Sequence, residues 1–538
     1  MMPPHHPGPQ GPEAARPAPT LPEAGLSRTG LERARLLRGL ALVPVAVFLL
    51  AILAPPLNHD VAAILTFSER WLSGERLYQD LIDVNPPLIF VLNLVPAAIA
   101  AATPLDGPGA FLLSMLGLCV LVWRMTVALR RDRTEGPVEN ATLTAAIPLL
   151  MLLPGYDFGQ REHLMALFAL PYGFLAARRI EGLPAGRRLS AGVAVLAAIG
   201  FALKPHFLAV PALVELLVLV RRGPAEALRD PVPWIMATVW AIYLATIPLF
   251  FHDYFSHVLP LVWSYYADLG VYGFWSVLGS PLLGPMVPVV LALLGGAFLL
   301  RRAGALAQVL SLAALGAFLS AWVQHKGWTY HVAPILALGG ATAVALGARL
   351  ADHSLPTASR SSAAPAIALA ATLALAAFTL RGGEAPWREI AFAETQGARL
   401  TAWLRQEALG ERLLVLSPDI YPVYPALNYA RAQTTLRTMT LWLLQGVYRD
   451  CPAGGERYRQ TWEMSRTEFF VYRTVAEDFA RAPPAAVLVA RHSGIPICEG
   501  QPFDFVTYFS RHPLFAESWL RYRPSGEIDG YRLYVREN

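Results

Sequence analysis

Residues Asn58–Pro87 read NHDVAAILTFSERWLSGERLYQDLIDVNPP, which puts Asp60, Glu69, Asp80 and Asp83 in one short stretch between two apolar runs. Carboxylates gathered where one apolar segment ends and the next begins are the material of a general base or a divalent-cation site at a membrane edge. The bland role of Asp60 is a helix N-cap, since a helix begins there and Asp ranks high in that position. Its acidic neighbours and Tyr78 favour a chemical role for Asp60. The Pro86-Pro87 pair marks the start of the next helix.

The rest of the chain fixes what kind of edge this is. Of its 538 residues 55% are hydrophobic and only 15% charged, with mean hydropathy +0.41, whereas soluble domains carry about 25% charged residues. The chain reads as a polytopic membrane protein. Its net charge of +5 is spread in short Lys/Arg clusters between apolar runs, which serve as topology signals and leave no nucleic-acid footprint. The three cysteines, Cys119 in an apolar run and Cys451 and Cys498 near the C-terminus, exclude a CxxC metal site and leave room for one disulfide.

Residues 1–37 begin as a Pro/Gly/Ala-rich stretch and lead through Arg28, Arg33 and Arg35 to Arg38, a disordered cytoplasmic tail with a positive-inside flank. A membrane-embedded module over 38–380 follows, with a first outer loop at about 58–108. The apolar run 39–57 is a retained anchor whose end faces out. If 86–104 lies at the outer interface as a juxtamembrane helix, the span 109–128 runs inward and Arg130, Arg131 and Arg133 fall inside. Further spans near 138–154, 163–177, 189–203, 207–220, 233–251, 282–300, 305–322, 331–349 and 364–380 then bring the remaining Arg clusters to the same side. The total is about eleven transmembrane helices, several of them short.

The same parity sends 58–83, 156–163, 204–206, 252–272 and 324–331 to the outer face, which is where chemistry is expected. Residues 381–538 have ordinary globular composition, with strand-like runs at 413–417, 485–490 and 531–535, and form an extracytoplasmic α/β domain. The fold class is therefore mainly α and polytopic, with juxtamembrane helices and a C-terminal α/β domain.

Each polar interruption has a plain reading and a functional one. Tyr156-Asp157-Phe158-Gly159-Gln160-Arg161-Glu162-His163 is either an interfacial Arg-Glu pair, cheap at a helix end, or a second acidic loop in which Arg161 grips a phosphate bidentately. Lys204-Pro205-His206 and Gln324 to His331 are explained singly by snorkelling. Together they place Lys204, His206, Lys326 and His331 where a phosphate headgroup would be held. Trp263, Tyr265, Tyr266, Tyr272, Trp275, Trp328 and Tyr330 read first as interfacial aromatics and second as sugar-stacking rings. Glu215, alone inside a span, is weak evidence of ion coupling. No HExxH, GxSxG, P-loop or GxGxxG in context occurs, which argues against zinc proteolysis, serine hydrolysis and ATP-driven pumping.

Asp60, then Gly74-Glu75-Arg76-Leu77-Tyr78-Gln79-Asp80, then Pro86-Pro87-Leu88, is an order similar to that of the GT-C superfamily of membrane glycosyltransferases. That superfamily includes the protein O-mannosyltransferases and the lipid A aminoarabinose transferases, and the likeness in layout covers about 40–350 with a C-terminal outer domain beyond. The resemblance implies an inverting transfer of a sugar from a polyprenyl-phosphate donor to a lipid, glycan or protein acceptor, in a multi-pass protein of the bacterial inner membrane with its N-terminus cytoplasmic. It implies Asp60 as general base, Asp157 or Glu162 as the acidic residue of the second loop, and Lys204, His206, Lys326 and His331 on the leaving phosphate. Tyr78, Asp80, Arg161 and Tyr330 complete the expected substrate-binding set. Asp60, Asp157 and Glu162 are also the candidate ligands of a divalent cation, Mg or Mn. The chain departs from the family in having Asp60-Val61 where relatives have Asp-Glu, and Arg161-Glu162-His163 where they have a plain Asp.

Two other classes compete. An O-antigen ligase or polymerase would concentrate its basic residues in one large outer loop. A lipid-linked glycan transporter would carry polar residues deep in several broken spans. Polar residues at span mouths rank the transferase first.

Overall fold

The computed structural model describes residues 28–54, 56–266, 269–270, 272–382, 392–452 and 456–537. Its organising element is the helix Arg161–Ile180, in which every residue from Arg161 to Arg179 is buried. The helices Gly107–Arg130, Arg187–Ala202, Ala209–Arg222, Gly304–Gln324 and Thr329–Ser354 pack against it. Its sequence keeps charge only at the two ends, Arg161 and Glu162 at one and Arg178 and Arg179 at the other, with apolar and small residues between. Close approach in this bundle depends on small residues. At Gly316 a side-chain Cβ would stand 2.6 Å from the Val210 backbone, so the Gly304–Gln324 and Ala209–Arg222 helices meet there.

All the apolar runs read as spans are helical. Among the described residues six helices, including Gly107–Arg130, Pro231–Phe250 and Thr329–Ser354, are long and apolar enough to cross a membrane, and the chain is an integral membrane protein. Leu88–Ala102 has 15 residues, about 22 Å at the ~1.5 Å rise of a helix, short of the ~30 Å hydrocarbon core. Met286–Leu299 and Ala209–Arg222, read as spans, have 14 residues each, so length does not separate a juxtamembrane helix from a crossing. The tail differs from expectation. Residues 1–27 lie outside the described residues, but Arg28–Ala41 is a helix, because its Leu, Ala, Arg and Glu are strong helix formers whatever the charge they bring.

The parity itself is tested by cysteines placed at Gln79, Glu411 and Arg131, all exposed. The first two are expected to react with an impermeant thiol reagent in intact cells and the third to stay unlabelled. Labelling at Arg131 would restore 86–104 as a full crossing.

The C-terminal part holds one five-stranded sheet of β1 (Arg412–Leu416), β2 (Gln433–Thr434), β3 (Ala486–Ala490), β4 (Tyr522–Ile528) and β5 (Tyr531–Arg536) in the order β2-β1-β3-β5-β4. β1 runs parallel to β2 and β3, while β5 is antiparallel to β3 and β4. The central β3 is buried along its whole length, which is why it reads as an unbroken apolar run. β4 is an edge strand, mostly exposed, with a register shift between Pro524 and Gly526.

This part grips the helix His59–Leu72 along its length. Tyr429 OH accepts from Leu57 N at 2.9 Å; Asn428 Nδ2 donates to Ala62 O at 3.1 Å and Thr66 Oγ1 at 2.9 Å; Arg70 Nη1 donates to Leu436 O at 2.8 Å. Ile82 N adds a bond to Arg437 O at 2.6 Å.

Cys451 and Cys498 are joined, with Cα atoms 5.7 Å apart and a sequence separation of 47. Closing a loop of that length is worth about 4 kcal/mol in the chain-entropy model. Cys451→Ser is expected to lower unfolding free energy by that order, and alkylation of unreduced protein should label neither cysteine.

Candidate active site

The first turn of the His59–Leu72 helix is capped by Asn58, whose Oδ1 accepts from Asp60 N at 3.0 Å and Val61 N at 3.3 Å. Asp60 stands inside the helix, so its carboxylate is not the cap. Instead Oδ2 accepts from Gln160 Nε2 at 3.0 Å, and the same amide nitrogen reaches Asn58 Oδ1 at 2.9 Å. Gln160 thus holds the cap and the carboxylate in one fixed relation. Asp157, in the turn Gly155–Asp157, accepts from Asn58 Nδ2 at 3.2 Å and steadies the cap from the other side.

Burial alone pushes the Asp60 carboxyl up, but His59, Arg161, the Gln160 hydrogen bond and Lys204 outweigh it and hold it below the usual carboxylate range. Asp60 is therefore ionised at neutral pH although its side chain is only 15% exposed. That is the state a base needs.

The cationic partners arrive from three elements. Arg161, at the start of the central helix, donates to Asn85 Oδ1. Asn85 in turn donates from N and Nδ2 to Asp83 Oδ1 at 2.8 and 2.7 Å, while its carbonyl accepts from Tyr78 OH at 2.6 Å. Lys204, in the turn after Arg187–Ala202, donates to Glu162 Oε1 at 2.6 Å and to Gln324 Oε1 at 3.0 Å. Burial draws its ammonium down to about 8 against the pull of Glu162. The Tyr330 ring lies 5.5 Å from Lys204 Nζ. His331 Nε2 is 3.8 Å from Glu162 Oε1, and neither ring nitrogen has a hydrogen-bond partner among the described residues. The His206 Nε2 is likewise unpartnered and buried.

Lys326 donates to Tyr266 O at 3.1 Å and lies 3.4 Å from the Tyr266 ring centre and 4.8 Å from that of Trp328. Tyr266 also meets Trp442 of the α/β part at 5.7 Å between ring centres.

Of the residues expected from sequence, the structure gathers Asp60, Arg161, Glu162, Lys204, Tyr330, His331 and His206, with Lys326 at the margin. Four have partners of their own. Asp80 lies outside the group, paired with Arg76 at 3.0 Å and lining a small pocket with Arg412, Arg437 and Asp478 of the α/β part. Tyr78 is buried and spends its hydroxyl on the Asn85 carbonyl, so it supports the loop. Glu162 is committed to Lys204, and Asp157 to Asn58. His163 accepts from Gly159 N at Nδ1 and bonds Met151 O through Nε2, which fixes a neutral tautomer with a structural task. Asn58, Gln160, Asn85 and Tyr266 were not singled out as site residues. Gln160 has a signal as a polar residue beside the Arg-Glu pair, and Tyr266 only as one of several outer-face aromatics.

Among the described residues no group of three or more His, Cys, Asp or Glu side chains is placed to hold a metal. Asp60, Asp157 and Glu162 each answer to a different partner, and the Lys204 ammonium sits on Glu162. This donor set does not fit a resident divalent cation.

An open groove of about 770 Å³ is lined by Trp71, Leu88, Val91, Ile242, Tyr243 and Phe250 with Arg76, Gln79 and Asp253, and by Phe251, whose ring centre lies 6.1 Å from that of Tyr78.

The chain is similar in fold to ArnT. The crystal structure of ArnT from Cupriavidus metallidurans bound to undecaprenyl phosphate aligns with 95% of this chain and 98% of its own, at a TM-score of 0.50 and 14% sequence identity. The likeness extends over the whole architecture, well beyond the short stretches at Asp60, Tyr78-Gln79-Asp80 and Pro86-Pro87-Leu88. No family model matches the sequence, and no curated protein matches it. The ArnT likeness is a likeness of fold.

Proposed function

We propose that the chain is a membrane glycosyltransferase that moves a sugar from a polyprenyl-phosphate donor to an acceptor hydroxyl, with Asp60 as general base. The observation that carries it is an ionised carboxylate, freed from capping by Asn58 and aimed by Gln160, set beside the buried cations Arg161 and Lys204. In this reaction Asp60 takes the acceptor proton as the hydroxyl oxygen attacks the anomeric carbon. The carbon–oxygen bond to phosphate breaks on the opposite face, and the phosphate leaves with the electron pair. Inversion at the anomeric carbon follows.

Lys204 and Arg161 hold the phosphate in the ground state and stabilise the charge that grows on its bridging oxygen. Glu162, Gln324 and Asn85 position those two cations. The apolar groove takes the isoprenoid tail, as the fold shared with ArnT, solved with undecaprenyl phosphate, supports. The divalent cation expected from the acidic loops has no step in this proposal.

Mass spectrometry of membrane glycolipids and glycoproteins from cells with and without the chain tests the class of reaction, and NMR of the new linkage reads its configuration. A retained anomeric configuration, or no glycan that depends on the chain, would overturn the proposal. The Lys204 ammonium adds a pH dependence. It is charged below about 8 and neutral above, so donor affinity in the free enzyme is expected to fall as pH rises through that value. Lys204→Arg should flatten the profile, because guanidinium stays charged throughout.

A further inference from the structure

At the end of the bundle away from Asp60, a cleft of about 430 Å³ opens between the helices Arg28–Ala41, Pro137–Leu152 and Thr357–Gly382. The 16 residues of Pro137–Leu152 cover about 24 Å before the chain reaches the Gly155–Asp157 turn that steadies Asn58. The cleft is thus remote from the reaction centre, and it shares no lining residue with the apolar groove assigned to the donor tail.

Its walls change character with depth. At the mouth stand Arg38, Asn140 and Ser361, all exposed; one to two turns further along the same helices the wall is made by Leu42, Ala145 and Ala368. None of the three mouth side chains has a hydrogen-bond or ion-pair partner among the described residues. Arg130 braces the wall behind them, donating from Nη2 to Asn140 O at 3.0 Å and from Nη1 to Thr144 Oγ1 at 3.1 Å, which leaves the Asn140 amide group free. No carboxylate lines the cleft, and Glu135 is spent on Arg130 at 2.7 Å. Arg35, one turn before Arg38 and exposed like it, adds a second cation on that side.

We propose that this cleft binds one anionic glycerophospholipid from the leaflet at this end of the bundle. The phosphodiester accepts from the Arg38 guanidinium, the Asn140 amide and the Ser361 hydroxyl, a donor set with no competing carboxylate. Basic pockets between membrane helices are lipid-headgroup sites for this reason. The alanine wall beneath takes the first methylenes of an acyl chain, which a free phosphate would leave facing water. A choline headgroup would bring its own cation against Arg38 and Arg35, so phosphatidylglycerol is favoured over phosphatidylcholine. Binding here does not depend on the reaction proposed for Asp60.

The test is native mass spectrometry of the delipidated full chain in a non-ionic detergent, titrated with phosphatidylglycerol and phosphatidylcholine of matched acyl chains. One phosphatidylglycerol is expected to bind about fivefold more tightly than phosphatidylcholine, and millimolar inorganic phosphate should not displace it. Arg38 is exposed, so Arg38→Ala leaves the packing intact and should weaken phosphatidylglycerol binding about tenfold. Ala141→Leu, which fills the cleft without touching a charge, should weaken it about fivefold. Arg131→Ala, which removes an exposed cation from the same end but outside the cleft, should leave it unchanged. Equal affinity for the two lipids, displacement by inorganic phosphate, full affinity in Ala141→Leu, or a loss in Arg131→Ala as large as that in Arg38→Ala would each overturn the proposal.

Discussion

Asp60→Asn is expected to lower turnover by ~100- to 10,000-fold while leaving donor affinity within about twofold. Asn is nearly isosteric, and Gln160 Nε2 can still donate to its side-chain oxygen as it does to Asp60 Oδ2 at 3.0 Å. What disappears is the ability to take a proton. Because Asn58 already caps the helix, the substitution leaves that turn intact, and the loss cannot be ascribed to an unravelled N-terminus. Single-turnover kinetics with a labelled polyprenyl-phosphate sugar separate the chemical step from binding. Unchanged turnover in correctly inserted protein would remove Asp60 as the base and bring the transporter reading forward.

The second large effect concerns Lys204 and Glu162. Their side chains are 13% and 1% exposed and 2.6 Å apart, so Lys204→Met strands a carboxylate in the bundle and is expected to destabilise the fold by ~3–5 kcal/mol. Pairing it with Glu162→Gln removes the stranded charge and should recover most of that loss, since a buried ion pair is often matched by neutral residues of similar volume. Donor binding should not recover, because the ammonium is still missing. SDS-titration unfolding in mixed micelles and a donor-binding assay on the same samples give the two answers separately. Full donor affinity in the double variant would show that Lys204 serves only the fold.

Sequence carried the outline of the site because its charges stand at the ends of apolar runs, where they are conspicuous. Arg161, Glu162, Lys204 and His331 could be picked out one by one, but their mutual distances depend on how four helices pack. That is why Glu162 looked catalytic in sequence and turns out to hold Lys204. Asp60 beginning a helix was visible, whereas the choice of Asn58 as cap was not, since Asn and Asp rank alike there. Asp80 was misleading because a loop residue's direction is set by its turn, here one closed by the Arg76 side chain. In the α/β part the buried β1, β3 and β5 matched apolar runs, while the two-residue β2 and the exposed β4, broken by Pro524 and Gly526, had no periodicity to betray them.

The grip of the α/β part on the His59–Leu72 helix makes that helix a lever. One end is held through Arg70 and Leu436, and the carboxylate rides near the other, beside the Leu57–Tyr429 bond. Ten residues from Arg70 to Asp60 span about 15 Å, so a tilt of roughly 5° carries the carboxylate ~1.3 Å, and a misplacement of about 1 Å can cost ~100-fold in rate. Because the helix is held at Leu57, Ala62, Thr66 and Arg70 alike, a shift in how the α/β part seats would carry the Asp60 carboxylate with it, and under the proposed reaction would change turnover.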